Sequence, residues 1–240
     1  MTKTGITGQA GFIGSHLANY LRIQEDIELI EFECDYFENS TALESFVSKC
    51  DVIIHLAAMS RNPDGKLLYD NNITLDKKLI TALEKQNSQA QVIFASTTHE
   101  MREGDYYASK RDGQKLFKAW GGEFTAMVMP NTFGSYGKPY FNSVVSTFCH
   151  KVARNEQAEI MVDAPVELIY IDNLCQEFHK VIKGEIKQSS YTPPATATRK
   201  VSEILDLLLN FRKLYVEQGI IPEFKDNFEK NLFTTFQSYL

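Results

Sequence analysis

The sequence predicts an α/β fold in which a doubly wound parallel sheet is followed by a smaller and less regular C-terminal region. Three observations lead to this prediction. Strand and helix patterns alternate up to residue 130, a glycine-rich turn follows the first strand, and a later apolar strand ends in small residues. Regular alternation of this kind favours parallel strands joined by crossover helices.

The alternating part contains five strand patterns and four helical patterns. The strands are expected near residues 3–7, 28–33, 51–56, 90–96 and 124–130. The helices are expected near residues 12–24, 41–49, 67–86 and 107–120.

Beyond residue 130 the sequence predicts a loop over 133–141, a helix near 142–154 and a mixed stretch over 159–200. Ser202 is expected to cap a helix that runs to about residue 217. Apolar residues then recur every four positions, which predicts one buried face on a final helix: Phe224, Phe228, Leu232 and Phe236.

The glycine-rich turn lies between the first strand and the first helix and reads Gly8-Gln9-Ala10-Gly11-Phe12-Ile13-Gly14. Glycines in this position let the backbone approach a pyrophosphate, and the N-terminus of the next helix attracts the negative charge. The turn therefore predicts a Rossmann-type dinucleotide site that includes Gly8, Gly11, Phe12, Ile13 and Gly14. An ordinary tight turn is the alternative interpretation.

The third strand ends in the small-residue segment Leu56-Ala57-Ala58. Such a strand tip leaves room for a ligand, although a simple buried strand has the same pattern. His55 lies inside this strand, where we expect a satisfied structural role rather than a catalytic one.

Tyr106 and Lys110 are one helical turn apart in the sequence Tyr-Tyr-Ala-Ser-Lys, so they share a helix face. An ammonium group beside a phenol lowers the phenol's pKa, which suits a general acid or base. A solvated helix pair is the alternative. Upstream, a strand ends in the hydroxyl residues Ser96, Thr97 and Thr98, which are candidates for hydrogen bonds to a substrate oxygen.

These motifs, in this order, make the chain resemble the extended short-chain dehydrogenases/reductases of the NAD-dependent epimerase/dehydratase type. It is most similar to the reductase domain of bifunctional enzymes that make UDP-N-acetyl-L-fucosamine for bacterial capsule or O-antigen. Three segments carry this likeness: the short step from Thr97 to Tyr106, the stretch from Lys138 to Glu156, and the ending from Phe228 to Leu240. In those enzymes a cupin domain that epimerises carbon three follows this point. It is absent here, so this chain is not expected to carry out that epimerisation.

The resemblance implies a single unit over residues 1–240. Approximately residues 1–135 form the dinucleotide-binding core, and residues 136–240 mainly bind substrate. Tyr106 is the implied proton donor, with Lys110 beside it and Thr97 as the catalytic hydroxyl. The assignment of Thr97 is uncertain by one position toward Ser96 or Thr98.

Further roles are implied residue by residue. Asn72 holds the cofactor strand, with a helix N-cap as the alternative, and Pro130 lies by the nicotinamide. Asn131 faces the substrate, but Val128 replaces a frequent arginine in this motif. Three more residues are candidate sugar or diphosphate ligands, with plain surface positions as the alternative: Lys138, Asn142 and Arg154.

Cofactor choice depends on the end of the second strand, which reads Glu31-Phe32-Glu33-Cys34-Asp35-Tyr36. A carboxylate there binds the adenosine ribose and repels a 2′-phosphate. The enzymes that the chain resembles use NADPH, whereas these acidic residues favour NAD(H). The prediction is an NAD(P)(H) cofactor with a slight preference for NAD(H), read by Asp35 or Glu33.

Composition excludes several other classes of protein. The 240 residues are 43% hydrophobic and carry a net charge of −6, which supplies a core and disfavours binding to nucleic acid. The four cysteines have no metal spacing, and no apolar run reaches the length of a membrane span. We therefore expect a cytoplasmic protein with no metal site and no membrane partner, and by analogy a homodimer.

The leading hypothesis is NAD(P)H-dependent reduction of a 4-keto-6-deoxy UDP-amino sugar. A nucleotide-sugar epimerase or dehydratase that keeps NAD tightly bound is the alternative within enzymes. A dinucleotide-binding sensor or scaffold without catalysis is the alternative from a different class.

Overall fold

The computed structural model describes residues 1–240 and contains nine strands. They are β1 (Thr2–Thr7), β2 (Ile27–Ile30), β3 (Val52–His55), β4 (Gln91–Thr97), β5 (Phe124–Met129), β6 (Asn131–Phe133), β7 (Pro165–Tyr170), β8 (Ser190–Tyr191) and β9 (Ala197–Lys200). Six of them form a parallel sheet in the order β2-β1-β3-β4-β5-β8. The predicted α/β class is confirmed.

Eight α-helices accompany the strands. They are α1 (Phe12–Arg22), α2 (Ser40–Val47), α3 (Gly65–Lys85), α4 (Asp105–Trp120), α5 (Val144–Ala153), α6 (Ile171–Ile182), α7 (Val201–Phe211) and α8 (Asn227–Gln237). The predicted strands and helices of the alternating part all occur, with ends that differ by a few residues. None of the helices combines the length and apolarity needed to cross a membrane.

The strand order reverses between β1 and β3, which are neighbours in the sheet although β2 lies between them in sequence. In open parallel sheets, ligands bind outside the carboxyl ends of the strands at such a switch point. Thr7 and His55 are paired at these two carboxyl ends, so the glycine-rich turn and the small-residue segment emerge side by side.

The chain forms two compact units. The first contains Met1–Met129 and Cys175–Pro193, and the second contains Pro130–Leu174 and Pro194–Leu240. The sequence-based division near residue 135 assigned residues 175–193 to the C-terminal region. They belong to the first unit because β8 pairs with β5 and Tyr191 donates a hydrogen bond of 2.5 Å to Glu177 of α6.

Within the first unit, a core of aromatic and aliphatic side chains lies between the sheet and helices α2, α3 and α4. Phe94 of β4 contacts Phe117 of α4, and Phe117 stacks on Phe124 of β5 with ring centroids 5.7 Å apart. On α1 and α6, the Tyr20 and His179 rings are in contact, and His179 binds Asp26 at 3.0 Å. The helices of this unit therefore form two groups, one of α2, α3 and α4 and the other of α1 and α6.

The second unit contains a small sheet in the order β6-β7-β9, in which β6 is parallel and β9 antiparallel to β7. Helices α5, α7 and α8 belong to the same unit. Phe133 at the end of β6 contacts Tyr170 of β7 and Phe228 of α8.

The predicted cap of α7 was wrong. Ser202 is the second residue of the helix, and the cap position is Lys200, whose backbone N–H binds the Glu203 carboxylate at 2.7 Å. Asp163 accepts hydrogen bonds from both the N–H and the hydroxyl of Ser202. Because Asp163 supplies the acceptor, no capping hydroxyl is needed. The helical run does continue to Glu217, with its last residues, Arg212–Glu217, in a π-helix.

The final helix starts later than its apolar pattern suggested. Asp226 caps α8 by accepting the N–H of Glu229 at 2.9 Å, so Phe224 lies before the helix. Its ring nevertheless contacts Phe211 and Phe233. The other three residues of the predicted face, Phe228, Leu232 and Phe236, are buried on α8 as expected.

Candidate active site

The glycine-rich turn has a geometry that requires glycine at two positions. Gly8 has a φ of +75°, and a Cβ there would lie 2.8 Å from the backbone nitrogen of Ala57. A Cβ on Gly14 would lie 2.3 Å from the carbonyl oxygen of Gly8. The turn therefore packs directly against both α1 and the end of β3, which brings its backbone to the sheet's carboxyl edge.

The N-terminus of α1 is arranged to receive an anion. Gly11 occupies the cap position without a side-chain hydrogen bond, and the first turn, which begins at Phe12 and Ile13, contains no acidic residue. The corresponding ends of α2 and α3 are instead capped by Asn39 and Asp64. The first N–H groups of α1 thus remain for a phosphate, and the helix dipole favours its charge.

A further polar atom in this turn supports the same interpretation. The side-chain oxygen Oε1 of Gln9 is buried and has no hydrogen-bond partner. Buried acceptors of this kind are costly unless a donor reaches them. The hydroxyl and amide groups of a dinucleotide are suitable donors, so the residues present fit a nicotinamide dinucleotide.

The segment after β3 is fixed from two sides. The backbone N–H of Ala57 donates to Thr7 Oγ1 at 3.3 Å. Asn72 accepts from the N–H of Met59 at 2.7 Å and donates to its carbonyl oxygen at 2.9 Å. Leu56, Ala57 and Ala58 lie between these anchors and are partly exposed. The alternative role of Asn72 as a helix cap is wrong, because it lies in the middle of α3.

Asn72 also connects this segment to α4. Its amide donates to Ser109 Oγ at 3.0 Å, and Ser109 donates to the carbonyl oxygen of Tyr106 at 2.7 Å. Both Asn72 and Ser109 are buried. The backbone that holds Tyr106 is therefore tied to the same side chain that fixes the end of β3.

The expected pair of Tyr106 and Lys110 lies on one face of α4. The Lys110 ammonium nitrogen is 5.8 Å from the centroid of the Tyr106 ring and 4.9 Å from that of Phe94. Lys110 is only 4% exposed. The ring of Tyr107 packs edge-on against Tyr106.

The predicted fall in the pKa of Tyr106 is wrong. Burial, and to a lesser extent the neighbouring Tyr107, raises the pKa of Tyr106 to about 12. Burial lowers the pKa of Lys110 to about 8, although the charge of Asp76 acts in the opposite direction. Sequence spacing revealed the lysine but not the burial of both groups. A phenol with this pKa is protonated at neutral pH, as a proton donor must be.

The three hydroxyl residues at the end of β4 differ in their surroundings. Ser96 is 2% exposed; its hydroxyl donates to Glu100 Oε2 at 2.5 Å and accepts from Gln114 Nε2 at 3.0 Å. The structure therefore does not present Ser96 to a substrate. Glu100 and Gln114 were missed by sequence reasoning, because no local pattern marks a pairing between a loop and a helix.

Thr97 and Thr98 are partly exposed. Thr97 Oγ1 accepts the backbone N–H of His99 at 3.2 Å, and a hydroxyl that accepts can still donate its own hydrogen. The N–H of Thr98 donates to the carbonyl oxygen of Met129, which connects this strand end to β5. Thr97 and Thr98 are therefore better placed than the buried Ser96 for a hydrogen bond to a substrate oxygen, and the choice of Thr97 between them stays a prediction.

The remaining candidates for substrate contacts belong to the second unit. Asn131 donates to the Glu167 carbonyl oxygen at 3.2 Å, and Pro130 before it is buried. Lys138 lies 5.0 Å above the ring of Phe141. Asn142 and Arg154 are both exposed.

The acidic segment after β2 places its carboxylates toward solvent. Glu31, Glu33 and Asp35 are exposed, whereas Phe32 packs against Phe46 with ring centroids 4.9 Å apart. Asp35 lies in a short 3-10 helix, Cys34–Phe37, whereas Glu31 directly follows the last residue of β2. Glu31 and Glu33 are thus closer in the chain to the strand end than Asp35.

Comparison with known proteins shows relatives over nearly the whole chain. Over 216 residues it is 27% identical to the UDP-2-acetamido-2,6-beta-L-arabino-hexul-4-ose reductase of Pseudomonas aeruginosa, which covers 88% of this chain and 58% of the relative. The crystal structure of the capsular polysaccharide assembling protein CapF from Staphylococcus aureus matches with a TM-score of 0.81 and 28% identity, over 99% of this chain and 65% of that protein. The chain thus spans only about three fifths to two thirds of the length of these two proteins.

The fold is shared more widely. RMD from Pseudomonas aeruginosa, solved in complex with NADPH, matches with a TM-score of 0.84 at 17% identity over 100% of this chain and 99% of that one. The model of the family described as "NAD dependent epimerase/dehydratase family" matches residues 5–191, which contain the glycine-rich turn, the β3 end and the Tyr106–Lys110 pair. This chain therefore belongs to the NAD dependent epimerase/dehydratase family.

Proposed function

We propose that this protein is an NAD(P)H-dependent reductase of a 4-keto-6-deoxy UDP-amino sugar, in the synthesis of capsule or O-antigen sugars. The observation that carries the proposal is the connection of Tyr106, through Ser109 and Asn72, to the end of β3 beside the glycine-rich turn. A proton donor is thereby held in a fixed relation to the dinucleotide-binding elements. The names of the Pseudomonas reductase and of CapF support this substrate class and setting.

The residues of the chain divide the work of ketone reduction. The glycine-rich turn and the N-terminus of α1 hold the pyrophosphate, and Leu56–Ala58 leave room beside it. When bound, a reduced nicotinamide dinucleotide supplies the electron pair and hydrogen that convert the ketone carbon to an alcohol carbon.

Tyr106 donates its phenolic proton to the sugar oxygen as negative charge develops there, and Thr97 donates a hydrogen bond to the same oxygen. The Lys110 ammonium stabilises the phenolate that Tyr106 becomes. It also binds the nicotinamide ribose. Lys110 is buried, with its nitrogen 5.8 Å from the centroid of the Tyr106 ring, so its charge favours the phenolate, although burial dominates and keeps the pKa of the phenol high.

The finer assignments follow the chemistry of single residues. We propose that Asn131, Lys138, Asn142 and Arg154 contact the sugar nucleotide, with the two cations serving its diphosphate. The exposed carboxylates after β2 favour NAD(H) over NADP(H). The four cysteines form no disulfide, which supports a reducing compartment such as the cytoplasm.

Substitution of Tyr106 tests the function at its proton donor. We expect Tyr106→Phe to lower the turnover of a 4-keto-6-deoxy UDP-N-acetylhexosamine by about 10²–10⁴-fold, the usual contribution of a general acid. Turnover is followed by the absorbance of the reduced cofactor, and cofactor affinity by calorimetry, which should barely change.

Tyr107→Phe is the matched control, because it removes the neighbouring hydroxyl from the same helix turn. It should keep turnover within a few-fold of wild type. Equal turnover by Tyr106→Phe and wild type would remove Tyr106 from the mechanism. Stoichiometric NAD in the purified protein, together with turnover of an unmodified UDP-sugar, would favour an epimerase instead.

A further inference from the structure

A chain of buried polar groups runs underneath the candidate site. Thr7 at the end of β1 binds His55 Nδ1 at 2.7 Å, and His55 Nε2 binds Asp76 Oδ1 of α3 at 2.9 Å. Their exposed fractions are 0%, 1% and 3%. Neither the proton donation by Tyr106 nor the contacts to the sugar use these three side chains.

The direction of the hydrogen bonds in this chain follows from its two ends. A carboxylate only accepts, so the Nε2–H of His55 donates to Asp76, and in the neutral ring Nδ1 is then the acceptor for the Thr7 hydroxyl. Thr7 Oγ1 in turn accepts the N–H of Ala57. Every polar atom of the imidazole is thereby satisfied, and one Asp76 oxygen is held in a fixed place.

The second oxygen of Asp76 lies against α4. A Cβ added to Gly113 would be 2.4 Å from Asp76 Oδ2, so only glycine at this position lets the carboxylate reach the helix. Lys110 precedes Gly113 by one helical turn. The Phe94 ring lies near both Lys110 and His55. Its centroid is 4.9 Å from the Lys110 nitrogen and 6.0 Å from the centroid of the His55 ring.

We propose that Asp76, oriented by His55, is a positioning residue that keeps the buried ammonium of Lys110 charged and in place above Phe94. The consequence for catalysis rests on the proposed function, whereas the effect on Lys110 does not. His55 and Thr7 act through Asp76, so the strand that leads into the glycine-rich turn also supports the lysine of the proton-donor pair.

Two titratable groups bear on Lys110, and only Asp76 opposes its deprotonation. Tyr106 lies on the same helix, with its ring centroid 5.8 Å from the Lys110 nitrogen, and the charge of Asp76 acts from α3. His55 of β3 binds Asp76. Burial lowers the pKa of Lys110 to about 8, and the charge of Asp76 works against that loss. Without the Asp76 carboxylate, no charge would oppose the lowering of the Lys110 pKa by burial.

The direct test measures the protonation of Lys110 by NMR in protein labelled with ¹³C at the lysine side chains. The Lys110 signal is assigned by its disappearance in Lys110→Arg. In Asp76→Asn, which keeps an acceptor for His55, we expect the titration midpoint of Lys110 to move to lower pH by about 1 pH unit. Asp76→Thr serves as a second neutral variant should Asp76→Asn fail to fold.

Asp112→Asn is the matched control, since it removes the same charge from α4 on the partly exposed side where Asp112 binds Tyr69 and Lys115. It should leave the Lys110 midpoint at its wild-type value. An unchanged midpoint in the folded Asp76 variants, or an equal change in Asp112→Asn, would overturn the proposal. Because no substrate is added, this result stands apart from the success or failure of the proposed function.

The pH dependence of kcat in the Asp76 variants tests the effect of this residue on catalysis. Loss of a purely structural contact would lower kcat at every pH. Loss of the Asp76 charge should instead move the alkaline fall of kcat to lower pH, with kcat near its wild-type value at pH values below that fall. Asp76→Glu, which restores the charge, should return the alkaline fall toward its wild-type pH. A uniform loss at every pH would contradict the positioning role.

Discussion

Residues that share a short stretch of sequence were the easiest to interpret. The glycine-rich turn after β1 and the common face of Tyr106 and Lys110 were both predicted from short stretches of sequence, and the structure contains both. The structure adds the steric reason for glycine at Gly8 and Gly14. Spacing does not reveal burial. The pKa of Tyr106 is therefore raised where the sequence predicted a fall.

Residues whose partners are distant in sequence could not be predicted in the same way. Ser96 was expected to face a substrate, but Glu100 and Gln114 use its hydrogen bonds. Asn72 was expected to hold the cofactor strand or to cap a helix, and only the tertiary structure shows it binding Met59 and Ser109. Such pairings depend on how the helices pack against the sheet and against each other. Inspection of a single sequence does not reveal that packing.

The acidic residues after β2 lead us to predict a preference for NADH over NADPH. A carboxylate there accepts hydrogen bonds from the ribose and repels a 2′-phosphate, so NADH should bind at least about tenfold more tightly than NADPH, or roughly 1.5–3 kcal/mol. Calorimetric titration with both cofactors measures this preference in wild type, Glu33→Arg and Asp35→Arg.

The variant that narrows the preference identifies the residue that reads the ribose. Because Glu33 lies closer in the chain than Asp35 to the end of β2, we expect Glu33→Arg to have the larger effect. Tighter binding of NADPH by the wild type would show that these carboxylates do not select the cofactor.

At the scale of elements, helix ends were harder to predict than helix interiors. Both α7 and α8 occur where the sequence predicted helices, but the cap position of α7 is Lys200 rather than the expected Ser202, and α8 begins after Asp226, beyond the first residue of its predicted apolar face. Asp163, far from α7 in sequence, satisfies the N–H of Ser202. A cap that comes from a distant residue leaves no pattern in the sequence next to the helix, so it could not be predicted.

The Asp163 contact predicts how stability depends on acid. Its hydrogen bonds to Ser202 lower the pKa of Asp163 below its ordinary value of 3.8. A carboxyl whose pKa is lower in the folded state stabilises the fold above the unfolded-state pKa, and this stabilisation disappears as the pH falls through the folded-state value. Asp163→Asn should therefore lower the Tm at neutral pH and lose less Tm than wild type on acidification.

Thermal unfolding monitored by circular dichroism between neutral pH and about pH 3 checks this, since free Asp titrates near pH 3.9. Glu159→Gln, an exposed carboxylate in the same connection, is the control and should follow the wild-type curve. Parallel curves for Asp163→Asn and wild type would show that the cap contributes nothing that depends on pH.

At the scale of the whole molecule, alternating strands and helices were sufficient to predict the parallel sheet and its class. The return of residues 175–193 to the first unit was not visible, because β8 is only two residues long and has no periodicity to detect. The long, regular elements could be predicted, whereas the two-residue strand that pairs residues 190–191 with the first unit could not.

A homodimer built on α3 and α4 is the expected assembly. These helices are joined by the 2.9 Å hydrogen bond from Tyr69 to Asp112, and Leu67 at the start of α3 is 51% exposed. Light scattering at assay concentration should show two copies per particle, and Leu67→Glu should shift the equilibrium toward monomer. Leu209→Glu is the control, because Leu209 on α7 is 50% exposed. A monomeric wild type would contradict this assembly.

The transfer of a label tests the central claim most directly. The protein is mixed with cofactor that carries deuterium at the reactive position of the nicotinamide and with a 4-keto-6-deoxy UDP-N-acetylhexosamine, and the product is examined by NMR. The proposed reductase predicts deuterium on carbon four of the sugar, one equivalent for each cofactor oxidised, and none with Tyr106→Phe on the same timescale. A product without deuterium at carbon four, or oxidation of the cofactor without formation of the alcohol, would contradict it.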